Sequence, residues 1–479
     1  MKRWELESRY AGACREIAEL REELAGANAA TAELAGEIER LKGLLEEAQR
    51  AGKRQATPFR RRVEQRSQAP KRPGRKAKQG VWKHQRQPSE AEKAAAETQT
   101  SELPQCPCCD DPLVERRTHE RFEWDIPPVV PVLTRFVSES GYCHRCGRRY
   151  ESRHGAQTST AHGAAGVAIG PRAKAVASDM KHYLGVSYGK IQGFFNVVFD
   201  LPASRSGLFK ADMRLAARAT PVYRELIELV RQASQVHADE TGWRIGALSA
   251  WLWVFTSREV TVYTIRTSRG HEVVLEMLGC RFKGYLTSDG LLTYDAAALA
   301  DFLKQKCLAH ILRRLSTLSA SQKQAHVALA EATTPMFRDA LALARRRAEL
   351  DPGTYAQAAA AIEQRLDAIV AAYATDADDD GARMARHLAK HRQHLLPFLY
   401  VDGLEATNNQ AERDLRPGVI TRKTGGCNRT QTGAEAHATL ASIGATCRKR
   451  RIPVLQFLID IQRSLDHAPS IAAPTPVPP

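Results

Sequence analysis

Three runs rich in Val, Ile, Trp, Tyr and Thr follow one another with only short turns between them: QVHADETGWRI from Gln235, AWLWVFTS from Ala250 and VTVYTIRTS from Val260. Side chains of this kind suit a pleated, half-buried surface, so each run reads as a strand. The period then changes. GHEVVLEML reads as a helix, GYLTSDG as a fourth strand, YDAAALADFL as a helix and QKCLAH as a fifth strand. Three strands in succession, then helix and strand in alternation, restrict the sheet more than any other feature of the chain.

That order is the ribonuclease-H-like α/β arrangement, in which the first and fourth strands are neighbours. Asp239 lies on the first and Asp289 ends the fourth, so two carboxylates are expected at one edge of the sheet. Holding two divalent ions needs a third acid, from a helix after the sheet, and Glu412 in EATNNQAERDLRP is the best candidate. Read as a helix ended by Pro417, this segment sets Asn408, Glu412 and Arg416 at four-residue steps on one face, with Asn409 and Arg413 flanking and Asp414 elsewhere. Amide and guanidinium neighbours suit a metal site lying against a phosphate backbone. Each acid alone reads as a surface or ion-paired residue; their joint placement carries the argument. Residues 316–400 are largely Ala-rich with helical patterning, as in QAAAAIEQRLDAIVAAYA, and read as a helical insertion in a catalytic core spanning 233–465.

The charge balance points to a polyanionic partner. Lys and Arg number 70 against 54 Asp and Glu, a formal charge of +16 over 479 residues. No apolar run approaches a membrane span, and MKRWELESRY has no signal-peptide core, so no membrane partner and a cytoplasmic, nucleoid-associated location are expected. Within residues 1–50, Leu6, Tyr10, Ala13, Ile17, Leu20, Leu24, Ala27, Thr31, Leu34, Ile38, Leu41 and Leu45 step by four and three, a heptad seam for a coiled-coil homodimer or higher oligomer. Within 51–100, the stretch 53–86 holds thirteen Lys or Arg against the single acid Glu64. Such a segment cannot bury a core but can lie along phosphates, with Arg60, Arg61, Arg62, Lys71, Arg72, Arg75 and Lys76 as candidate contacts.

Residues 101–155 carry two Cys-x-x-Cys pairs, Cys106 with Cys109 and Cys143 with Cys146, separated by the strand-like RFEWDIPPVVPVLTRFVSESGY. Four thiolates predict a closed, structural Zn²⁺ site in a zinc-ribbon-like module. Cys108 and His144 are rival ligands, and knuckle geometry favours the outer pairs. Residues 165–232 look helical, with a break at Gly185 and Ser204 as a helix cap. They fit a DNA-binding helix-turn-helix and equally fit ordinary helical packing. Residues 466–479 read as a disordered tail. The fold class is therefore multidomain α+β.

Taken together, the N-terminal zipper, KRPGRK, the paired cysteines, HADET-W, SDG, CLAH and NNQAERDLRP followed by RK resemble the transposases of the insertion-sequence 66 group over most of the chain. The resemblance implies that Asp239, Asp289 and Glu412 are an acidic triad holding two Mg²⁺ or Mn²⁺, and that Cys307 and His310 form that group's Cys-x-x-His pair. It implies a DNA transposase that cleaves and joins strands, acting on transposon ends and target DNA, with room for small accessory proteins. Arg422 and Lys423 match its RK; beyond them TGGCNRTQTGAEAHA departs from the aromatic-containing stretch of the group, which bears on end recognition rather than on the triad. From their own pattern, Cys307 and His310 read equally as a buried thiol and packed imidazole or as a DNA-positioning pair. A non-catalytic DNA-binding regulator and a nuclease of the same fold remain alternatives.

Overall fold

The computed structural model describes residues 12, 16, 20–34, 36–37, 86–115, 117–159, 168–321, 323–375, 379–464 and 469–472. Most of the heptad seam, Arg60, Arg61, Arg62, Lys71, Arg72, Arg75, Lys76 and residues 473–479 lie outside the described residues. The chain divides into two units, Met1–Ile126 and Pro127–Pro479.

In the first unit a helix runs over 20–34, with Leu20, Leu24 and Leu34 each more than half exposed. A short helix, Glu90–Ala94, begins at a reciprocal cap in which Ser89 and Glu92 satisfy each other's backbone. The Cys106 N–H donates to the Asp111 carbonyl at 2.8 Å, closing a tight turn around this cysteine pair.

The second unit opens with a hairpin pairing Ser140–Cys143 with Arg148–Glu151. Upstream of it the expected strand is absent: residues 117–139 take no regular structure, and Val132 and Leu133 are almost fully exposed. Pro127, Pro128 and Pro131 have no N–H to give a ladder. Three helices follow, α1 (Pro171–His182), α2 (Tyr188–Phe199) and α3 (Arg205–Arg231). Ser187 and Ser204 cap the second and third through their side chains. Gly185, at φ +70°, turns α1 into α2, and a Cβ there would lie 2.8 Å from the Thr421 Cα.

The sheet has five strands: β1 (Gln235–Ile245), β2 (Leu248–Thr256), β3 (Thr261–Arg266), β4 (Tyr285–Ser288) and β5 (Leu303–Lys306), in the spatial order β3-β2-β1-β4-β5. The first three are antiparallel; β4 and β5 run parallel to β1. The first and fourth strands are therefore neighbours, as their order in the chain requires. Helix α4 (His271–Leu278) precedes β4. Two details depart from expectation. YDAAALADFL forms two short 3-10 turns, Leu292–Asp295 and Ala297–Leu299, and the last strand ends at Lys306, so Cys307 caps a helix instead of lying in a strand. With Ala296 in an extended conformation between the two turns, the run is too broken to propagate a helix.

Helices α5 (Leu308–Leu318), α6 (Gln324–Arg345), α7 (Pro352–Tyr373) and α8 (Asp380–Lys390) share an apolar cluster including Leu315, Phe337, Leu366 and Leu388. The chain returns to the sheet through α9 (Asn409–Gly425), then α10 (Gln431–Lys449) and α11 (Val454–Arg463). Pro417 does not end α9, which runs eight residues further to Gly425. It removes the N–H that the Arg413 carbonyl would accept, while the next carbonyl, of Asp414, takes the Tyr263 hydroxyl. Gly418 then lets the helix approach β2, since a Cβ would lie 2.4 Å from Leu252. Helix α10 covers the β3 edge: its Ser442 and Thr446 hydroxyls accept from the backbone N–H groups of Tyr263 and Thr261.

Candidate active site

Successive residues of a strand face opposite sides of a sheet. In β1 the odd positions face α9, where Trp243, Leu252 and Val254 pack with Ala411 and Leu415. Asp239 lies on this side and Glu240 on the other. Burial pushes the Asp239 carboxyl up to about 7, and the negative charges of Glu240, Asp289 and Glu412 push in the same direction. A hydrogen bond from the Glu240 N–H, 2.9 Å, offsets part of this. Asp289 follows β4 directly and accepts from the Leu291 N–H at 2.9 Å. Glu412 sits in the first turn of α9, one third exposed, with His310 Nε2 at 3.5 Å and an Arg313 nitrogen at 4.0 Å. Asp289 and Glu412 thus both act on Asp239, although 173 residues separate Asp239 from Glu412 (412 − 239).

Glu240 is satisfied otherwise. Its side chain is 2 % exposed and takes two hydrogen bonds from Arg269, at 2.8 and 3.0 Å, and one from the Tyr294 hydroxyl at 2.9 Å. Asp239 has no cationic partner among the described residues. Also among the described residues, no three His, Cys, Asp or Glu side chains stand at metal-holding spacing. Glu412 at present faces His310 and Arg313.

The residues expected to support the triad divide. Asn408 is fully buried and spends its amide on the Ala238 carbonyl at 2.8 Å, so it fastens α9 to β1. Asn409 and Arg416 are exposed. Arg413 reaches Gln410 and lines, with Asp414 and Pro417, a cavity of about 350 Å³ that Glu412 does not border. Arg422 is engaged with Thr241 Oγ1 at 3.0 Å and the Gly242 carbonyl, which removes it from the free phosphate contacts; Lys423 is exposed. Cys307 is buried, burial raises its thiol, and its sulfur accepts the Asn408 N–H at 3.0 Å. His310 turns one nitrogen to Glu412 and leaves the other buried, with no hydrogen-bond partner among the described residues.

Arg269, Tyr294 and the buried ion pair of Lys306 with Asp295, 2.6 Å, were not singled out by the sequence. The one signal for them was a second acid beside Asp239 in an apolar strand, which demands a partner when buried.

The sheet and its acids fall within residues 166–436, and over that span the chain matches a family model for transposases. The model is described as Transposase IS66 family, it covers more than half of the chain, and the chain belongs to that family. Uncharacterized protein y4qI of Sinorhizobium fredii is 27% identical over 265 residues, which cover 49% of this chain and 48% of that relative. The chain thus spans about half the length of the curated relative it matches. No helix among the described residues is long and apolar enough to cross a membrane.

Proposed function

We propose that the chain cleaves DNA at the ends of an insertion sequence and joins those ends to target DNA, with Asp239, Asp289 and Glu412 holding two Mg²⁺ or Mn²⁺. The observation that carries this reading is the Asp239 carboxyl: desolvated, pressed by the carboxylates of Glu240, Asp289 and Glu412, and without a cationic partner among the described residues. Oxygen donors of this kind suit Mg²⁺ and Mn²⁺, and the repulsion among them is what bound dications would relieve. The donor chemistry therefore fits, while among the described residues the three carboxylates do not stand at metal-holding spacing. When bound, the ions would activate a water or a 3′-hydroxyl and stabilise the leaving oxygen of the displacement.

The remaining roles belong to this chain's own side chains. The strand order supports a ribonuclease-H-like core, with Asp239 on β1, Asp289 directly after the neighbouring β4, and Glu412 in the first turn of α9 as the third acid of the proposal. His310 and Arg313 flank Glu412 and would keep its charge in check between encounters with DNA. Lys423, Arg416 and the basic stretch 53–86 supply cations for phosphates, and the heptads would pair two or more copies. A chain working on DNA in this way belongs with the nucleoid, in the cytoplasm.

The cysteine pairs read as structural Zn²⁺ ligands. Backbone N–H groups of Cys108 and Cys109 draw the Cys106 thiol down, and Tyr150 does the same for Cys146, towards the thiolate that a metal requires. Metal analysis should find Zn²⁺ that is lost when Cys106 and Cys143 become Ser.

Asp239→Asn, Asp289→Asn and Glu412→Gln test the central reading. Each keeps size and removes one charge, so each should abolish Mg²⁺-dependent cleavage and joining of element ends while DNA binding stays near wild type. Comparable cutting by any of the three would refute this triad. A wild-type chain that binds its ends but never cuts with either ion would be a regulator, and one that cuts without joining a nuclease.

A further inference from the structure

We infer that Glu240, the second acid of the HADET pair, is a positioning residue that fixes the Asp289-bearing loop against β1 through Tyr294 and Arg269. The inference rests on the proposed reading of Asp239, Asp289 and Glu412 and adds a residue that holds two of them in register.

The loop in question is short, and three separate anchors fix it. Asp289 leaves β4 and the 3-10 turn Leu292–Asp295 follows within a few residues. Tyr294 in that turn is completely buried and gives its hydroxyl to Glu240 Oε2 at 2.9 Å. Thr293 donates to the Arg269 carbonyl at 2.8 Å, while the Arg269 guanidinium bonds Glu240 and lies 4.3 Å from the centre of the Trp251 ring. Asp295 pairs with the buried Lys306, whose ammonium also reaches the Asp289 carbonyl at 3.4 Å.

Glu240 is the point where this loop meets β1. Its backbone N–H donates to Asp239 while its carboxylate, on the opposite face, receives Tyr294 and Arg269. One residue therefore touches the Asp239 side chain and the far end of the Asp289 loop. A buried carboxylate with a guanidinium and a phenol as partners is also a rigid one, because each lost bond would leave a desolvated group unpaired. Outer-sphere partners of this kind set the placement of ligands and the affinity that depends on it.

The test is an Mn²⁺ titration of the full-length chain followed by thermal melting, which reads binding without turnover. Glu240→Gln and Tyr294→Phe keep size and shape. Each should raise the Mn²⁺ concentration for half-maximal stabilisation by about tenfold, and the double variant should be little worse than Glu240→Gln alone, because both cut the same link. Asp212→Asn supplies the benchmark for lost stability by itself: it breaks the buried pair with His182, 2.7 Å long, in the helical region. It should lower the melting temperature and leave the Mn²⁺ midpoint in place. An unchanged midpoint in both Glu240→Gln and Tyr294→Phe, with a normal wild-type response, overturns the positioning role and leaves the metal reading standing. An equal shift in Asp212→Asn also overturns it, since the effect would then be general loosening. A wild-type chain without any Mn²⁺ response removes the metal reading and this inference with it.

Discussion

The backbone N–H of Asn408 donates to the buried sulfur of Cys307 across 3.0 Å, joining residues 101 positions apart. Cys307 is where the chain leaves β5 for the α5–α8 helices, and Asn408 is where it returns as the cap of α9. The Leu308 N–H to Ala406 carbonyl bond, 3.0 Å, closes the same neck. A helical excursion of this length can therefore be carried without displacing Glu412, because its two ends are tied together at the sheet.

Asn408 should accordingly behave as a fastening. Asn408→Ala leaves the Ala238 carbonyl without its side-chain donor in a buried site, at a cost of about 1–3 kcal/mol. Chemical denaturation should register that loss. A variant as stable as wild type would show that the amide does not hold α9 to β1.

Arg422 and Lys423 should separate cleanly despite their adjacency. Arg422→Ala removes hydrogen bonds to Thr241 and Gly242 and should lower stability by about 1–3 kcal/mol. Lys423→Ala should leave melting unchanged and weaken DNA binding with a shallower salt dependence, as should deletion of 53–86 to a larger extent. Binding isotherms at several salt concentrations decide between them; a Lys423 variant with unaltered slope would take that residue off the DNA.

Acid should destabilise the helical part of the second unit. Burial holds His387, His391 and His394 down to about 4, below the 6.5 of an exposed imidazole. A depressed folded value means that the stability is complete above pH 6.5. As pH falls from 6.5 towards 4, the unfolded chain takes up protons that the folded one refuses, and stability drains away. Melting temperature should fall through that window, and His391→Gln should flatten part of the fall, on the order of 1–3 kcal/mol. A wild-type profile level from pH 7 to pH 4.5 would contradict the neutral, buried rings.

The zipper has a test in the intact protein. Leu20 and Leu34 are exposed on their helix, as a seam waiting for a partner would be. Replacing both with Asn should shift sedimentation from oligomer to monomer. Equal sedimentation of variant and wild type would leave the seam without a role in assembly.

Much of the framework was legible in the chain because it depends on local pattern. The first three strands follow from β-branched and aromatic runs, the serine cap at 204 from its own side chain, and the neighbouring of the Asp239 and Asp289 strands from strand order alone. Helix periodicity likewise put Glu412 on a helix after the sheet, where α9 carries it. What local pattern misjudged was decided by neighbours remote in sequence. Pro417 reads as a stop, yet α9 continues through it to Gly425, held against the sheet where Tyr263 bonds the Asp414 carbonyl and Gly418 allows close packing on Leu252. Asn408 caps the helix that carries Glu412, Arg413 and Arg422; spacing makes Asn408 and Arg413 companions of the acid, and the resemblance makes Arg422 a DNA contact. Tertiary packing assigns them instead to Ala238, Gln410 and Gly242. The two acids of HADET show the division most clearly. Alternation along a strand puts Asp239 and Glu240 on opposite faces, but only the folded chain brings Arg269 and Tyr294 to one and leaves the other without a cation, because a charge in a low-dielectric interior takes its character from what the fold places beside it.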